Sequence, residues 1–196
     1  MPKFNQLLPL SIASITTIAT ITVAPVHAST IVGFQGPYDP SNFTLDNFNA
    51  NGSVDTFEAP DSITLAGGNN SSFSFGQTNY TTAAAGAGTV MFDFNYESLN
   101  SDGPFFDPFG VILNGVFTQL SENNGPDSQN GTFAFDVQKG DTFGFAIQTV
   151  DNIFGNSQAT VSNFKAPAKT PEPTAILGTI AIGALGIASK KRKQNN

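Results

Sequence analysis

From Val90 to Tyr96 the chain runs Val-Met-Phe-Asp-Phe-Asn-Tyr, with an apolar residue at every second position. An extended strand turns Val90, Phe92, Phe94 and Tyr96 to one face, whereas a helix would scatter them around its circumference. The same period recurs in Phe133, Phe135 and Val137, in Phe143, Phe145 and Ile147, and in the shorter pair Phe73 and Phe75. Polar residues between them predict strands with one wet face, as in antiparallel sheets. Asn114-Gly115, set between Val111-Ile112-Leu113 and Val116-Phe117, supplies the positive φ angles of a tight hairpin turn. Asn130-Gly131 and Lys139-Gly140-Asp141 read as further turns. The stretch 38–70 is rich in Asn, Gly, Ser and Asp, and Ser62-Ile63-Thr64-Leu65 is its clearest strand. No amphipathic helical stretch interrupts the pattern. Eight or so short strands at this spacing predict an all-β fold, an antiparallel β-sandwich of jelly-roll type with a phenylalanine core.

The two ends follow another logic. Lys3 precedes an apolar, Thr-rich run from Leu7 to Val23, and Val26-His27-Ala28 places small residues at the −3 and −1 positions of a cleavage site. Residues 1–28 therefore read as a signal peptide with a short apolar helix, handled by the export translocon and cut by signal peptidase between Ala28 and Ser29. After a domain spanning 29–165, a linker at 166–173 carries Pro171, Glu172 and Pro173. An apolar run, 174–189, follows as a transmembrane helix, and 190–196 form a basic tail beginning Lys190, Lys191, Arg192, Lys193. As a helix the apolar run is about 24 Å long, short of a hydrocarbon core of about 30 Å. The four cations hold its end on the cytoplasmic side, which puts the preceding domain outside the inner membrane.

Motif, span and basic tail, in that order over the last 26 residues, resemble the PEP-CTERM sorting signal of Gram-negative and cyanobacterial exported proteins. The resemblance implies that an exosortase, a membrane-embedded transpeptidase-like enzyme, reads Pro171, Glu172 and Pro173. It also implies an inner-membrane-anchored precursor that ends at the cell surface or in extracellular polymer.

Residues 29–165 hold fourteen carboxylates against Lys139 and Lys165, a balance of −12, whereas the whole chain stands at −7. That acidity excludes a nucleic-acid partner, which requires a basic footprint. The chain has no Cys and no Trp, and its single histidine, His27, falls in the signal segment. A Ser-His-Asp triad, a thiol nucleophile and a zinc site of the usual ligands are thereby excluded from the domain. Carboxylate chemistry remains, with Glu58, Glu97 and Glu122 as the nominal acids of a small glycoside hydrolase. The small scaffold and the absence of Trp as a sugar platform argue for a domain that is not an enzyme.

Hard oxygen donors suit Ca²⁺. They are densest over 94–110, where Glu97, Asn100, Asp102 and Asp107 occur, with Asp151 and Asn152 in a later loop. The order of the segments 92–98, 107–115 and 149–155 is similar to that of the CUB domain, a jelly-roll sandwich with a Ca²⁺ site at one end, although the cysteines usual in many CUB domains are missing. This resemblance implies Glu97, Asp107 and Asp151 as metal ligands. The expected function is an exported, exosortase-sorted cell-surface or extracellular-matrix protein with a non-catalytic sandwich, extracellular polysaccharide being its partner. The alternatives are a calcium-dependent carbohydrate-binding or adhesive module and a small glycoside hydrolase.

Overall fold

The computed structural model describes residues 29–169. The expected signal peptide, sorting motif, transmembrane span and basic tail lie outside the described residues. Eleven strands make up the domain: β1 (Thr30–Val32), β2 (Thr44–Phe48), β3 (Ser53–Asp55), β4 (Ser62–Ala66), β5 (Gly76–Ala83), β6 (Gly88–Ser98), β7 (Phe109–Leu113), β8 (Val116–Gln119), β9 (Ser128–Val137), β10 (Thr142–Thr149) and β11 (Ser157–Pro167). Among the described residues the helices are two single 3₁₀ turns, Gly36–Tyr38 and Pro40–Asn42, and no helix is long and apolar enough to cross a membrane.

The strands form two antiparallel sheets, the expected sandwich. One has the order β3-β4-β11-β6-β9, with β1 added along the last residues of β11; the other has the order β2-β5-β10-β7-β8. The alternation that defined β6 governs its burial. Val90, Phe92, Phe94 and Tyr96 are buried while Met91, Asn95 and Glu97 face out. In the opposing sheet Phe143, Phe145 and Ile147 of β10 point into the same core. The rings meet edge to face, Phe92 on Phe145 at 5.0 Å and 83°, or stacked, Phe34 on Phe164 at 4.6 Å. Both geometries suit the quadrupoles of aromatic rings, and together they fill the space a Trp would otherwise take.

The Asn114-Gly115 hairpin is present, with φ of 50° and 82°. Three expectations fail. Asn130 and Gly131 are not a turn: they lie within β9, paired with Asn95 and Phe94 of β6. Glycine is needed there because a Cβ at Gly131 would stand 2.9 Å from the Phe94 ring. Phe73 and Phe75 are not a strand but exposed residues of the loop before β5. The last strand also runs two residues into the stretch expected as linker, since Ala166 and Pro167 pair with Ile31 and Thr30.

Strand directions sort the loops into two groups. Ser29 and Ala168 meet at one end, where the Ala168 N–H donates to the Ser29 carbonyl at 2.6 Å. The opposite end gathers the loops 49–52, 67–75, 99–108, 120–127 and 150–156.

Candidate ligand-binding face

Because side chains alternate along a strand, the residues that miss the core on β4, β11, β6 and β9 share the outer face of their sheet. Strand register lays them out in three transverse rows: Ser62, Ser162, Asp93 and Thr132; then Thr64, Thr160, Asn95 and Asn130; then Ala66, Gln158, Glu97 and Ser128. All but Ala66 carry a polar side chain. The face dips into two adjoining depressions that share Asn95. The larger, about 370 Å³, is bounded by Asp93, Asn130, Thr132, Ser162 and Asn163. The smaller, about 220 Å³, is bounded by Glu97, Ser128, Gln158 and Thr160.

A β-bulge between Ser162 and Lys165 gives the larger depression its wall. Bulges redirect side chains that a regular strand would send elsewhere. Asn163 sits in the bulge with φ of 50° and donates its amide to Asp93 Oδ2 at 2.7 Å. Thr132 donates to Asp93 Oδ1 at 2.6 Å. These two bonds, that of Thr132 first, hold the Asp93 carboxyl below its ordinary range, with a smaller contribution from the Lys165 charge. The carboxylate is thus fixed in place and ionised at neutral pH. Thr64 and Thr160 hydroxyls bond each other at 2.9 Å in the middle row. Asn95 and Asn130 amides and the Glu97 carboxylate complete a set of donors and acceptors facing solvent. Such a set suits a ligand rich in hydroxyl groups.

Of the three calcium ligands expected from the sequence, Glu97 turns away from Asp107, while Asp151 lies near enough to Asp107 to act on its charge. Glu97 obeys the alternation of β6 and lines the smaller depression on the outer face. Asp107 enters from the loop before β7 and is fully buried at the opposite side of that strand's path, beneath Tyr96, whose hydroxyl donates to the Asp107 carbonyl at 3.0 Å. Asp151 is partly exposed, and its Oδ1 accepts from the Ile153 N–H at 3.3 Å. Among the described residues no three carboxylates cluster as metal ligands would. Asp107 Oδ2 accepts the Asn100 amide at 2.8 Å, and the second hydrogen of that amide goes to the Ile153 carbonyl at 3.1 Å. Burial pushes the Asp107 carboxyl up to about 6, against the opposing pull of the Asn100 and Thr149 side chains and with a small push from the Asp151 charge. Oδ1 makes no hydrogen bond of good geometry, and the nearby residue Ser98 likewise leaves its buried Oγ without a partner.

The sequence reading sought a site among the end-loop acids and missed the face. Its signal was present in the intervening positions of β6, where Asp93, Asn95 and Glu97 alternate with the rings. Nothing local marks Asn163, whose position depends on the bulge.

No protein-family model matches this chain, and no curated protein matches it. Solved structures of carbohydrate-binding modules are similar in fold. A family 35 module from Clostridium thermocellum has 13% identity over 70% of this chain and 97% of its own, with a TM-score of 0.34. A family 11 module from the same organism's cellulosomal cellulase has 12% identity over 76% and 99%, TM-score 0.41. A module described for specific mannan recognition has 8% identity over 73% and 100%, TM-score 0.42.

Proposed function

We propose that this chain is an exported, non-catalytic polysaccharide-binding protein that is sorted at the inner membrane by an exosortase and ends at the cell surface or in the extracellular polymer. The observation that carries the binding role is the outer face of the β4-β11-β6-β9 sheet, three polar rows wide across four strands, with Asp93 locked by Asn163 and Thr132. Amide and carboxylate pairs at this spacing bond vicinal hydroxyls, and the solvent-facing acids favour uncharged over anionic chains. A hydrolytic reading is weaker. Asp93 and Glu97 share the face but stand four residues apart on β6, about 13 Å along the strand, beyond the roughly 5–10 Å that separates paired glycosidase carboxyls. Asp107, whose raised pKa would suit a general acid, is sealed from solvent.

Affinity electrophoresis of the exported protein through gels containing soluble neutral polysaccharides tests the proposal. Retardation by at least one polymer is expected, and Asn95→Ala, which removes the side chain common to both depressions, should weaken it about tenfold or more, the loss of a desolvated hydrogen-bonding pair. Unretarded migration in glucan, mannan and xylan gels alike would end the reading.

A further inference from the structure

Of the twelve large apolar side chains exposed among the described residues, seven lie at one end of this molecule, while Val32, Leu45, Phe57, Met91 and Val116 are scattered elsewhere. Phe48, Phe73, Phe75, Leu99, Phe105, Val150 and Phe154 all lie in, or at the edge of, the loops opposite the chain ends. Two of them are exceptional. Phe73 is 75% exposed with φ of 54°, and Phe154 is 60% exposed with φ of 67°. A bulky residue in the left-handed region is an outlier that costs stability, and an exposed ring recovers none of that cost through burial. Folding therefore gives no reason for phenylalanine at either position.

The frame beneath these rings is rigid. Asn152 is fully buried and ties three loops together: its side chain donates to the carbonyls of Asn49 at 2.8 Å and Ser74 at 3.1 Å, and its own carbonyl accepts from the Ser71 N–H at 2.8 Å. Asn100 ties the 99–108 loop to 150–156 through the Ile153 carbonyl. Phe48 and Phe75 stand 6.5 Å apart on this frame, and around them lie the hydroxyls and amides of Ser72, Ser74 and Asn49, which bond one another. Contact groups held on locked supports are the arrangement of a preorganised site.

We infer that this end is a second binding site, one that takes the apolar ring faces of an uncharged, insoluble polysaccharide. The charge on the domain selects that occupant. At −12, copies of this chain repel one another, and none of the five loops contains Lys or Arg to attract an anionic polymer or lipid headgroup. Aromatic rings interleaved with amides and hydroxyls match a surface made of CH faces and equatorial hydroxyls. Ser29 and Ala168 meet at the opposite pole, so with the segment after Ala168 anchored at the membrane the rings face outward. The inference rests on the export and polysaccharide reading above, but not on the sheet face.

The test is co-sedimentation of the exported protein with microcrystalline cellulose, chitin and insoluble mannan, with phosphatidylcholine vesicles in a parallel arm and sedimentation velocity for self-association. Phe73→Gly with Phe154→Gly is expected to cut the sedimenting fraction at least fivefold and, because glycine relieves the left-handed backbone, to raise Tm by about 3 °C per site. The higher Tm guards against a variant that simply fails to fold. The same double variant should still be retarded by soluble polysaccharides as the parent is, so loss at this end is read separately from loss at the sheet face. A double variant that sediments like the parent overturns the inference. So does a parent that ignores all three solids, that binds the vesicles instead, or that dimerises through these rings.

Discussion

Replacing Asp107 by Asn isolates the energetic consequence of burying this carboxyl. Burial raises this carboxyl from 3.8 to about 6. Two units or so correspond to about 3 kcal/mol at 1.36 kcal/mol per unit. The sign follows from proton binding: the folded chain holds this proton more tightly than the unfolded chain. The contribution favouring the fold is complete below about pH 4 and is lost as pH rises through about 6, so at pH 7.5 the ionised group opposes folding. An amide at this position stays neutral, still accepts from the Asn100 side chain through its oxygen, and puts an NH2 group in place of the carboxylate oxygen that has no partner. The variant should therefore melt higher than the parent at pH 7.5. Taking about 2.1 cal/mol/K per residue over roughly 140 residues, 3 kcal/mol sets a ceiling of about 10 °C. The gap should close as pH falls from 7 to 4.5. Differential scanning calorimetry at four pH values, each with and without 5 mM calcium, reads this directly. A variant that melts lower at pH 7.5, or a parent whose Tm rises in calcium while the variant's does not, would refute the reasoning and restore Asp107 as a metal ligand, because bound calcium adds RT ln(1 + [L]/Kd) to the parent alone.

Two further outcomes test other parts of the argument. The Tyr38 hydroxyl donates to the Pro167 carbonyl at 2.7 Å and accepts from the Ala85 N–H at 3.0 Å in a buried setting, so Tyr38→Phe should lower stability by about 1–3 kcal/mol in urea titration; an unchanged midpoint would show that water replaces both bonds. Glu172→Ala should leave a longer precursor in the inner-membrane fraction, read by intact mass after fractionation, and normal processing would count against exosortase recognition.

The parts of the fold legible in the sequence are those fixed by neighbours in the chain. β6 and β10 announced themselves through period-two phenylalanines, and the β7–β8 hairpin through Asn114-Gly115, because each depends on residues a few positions apart. The N-terminal third was opaque for the opposite reason: Tyr38 finds its partner at Pro167, 129 residues away. Asn130-Gly131 has the composition of a turn, yet the glycine answers to the Phe94 ring on the neighbouring strand. Phe73 and Phe75 repeat with a strand's period although their loop is held by Asn152 from another part of the chain. The acids were visible but not their orientation, since proximity in sequence does not say that Glu97 faces water while Asp107 faces the core. The polar rows were visible only as the gaps between core residues. Assembling them into a face required the register of four strands.

The last strand of the domain is also the middle one of its sheet. β11 joins β4 on one side to β6 on the other and closes over β1 at its end. Until it arrives, that sheet exists only as separate pairs, β3 with β4 and β6 with β9, and Phe164 is missing from its stack with Phe34. The long-range contacts that complete the core are thus deferred to the final residues of the domain. A chain emerging from its N-terminus therefore holds every strand of the β2-β5-β10-β7-β8 sheet before the other sheet can be joined, and the core closes only once Pro167 is in place.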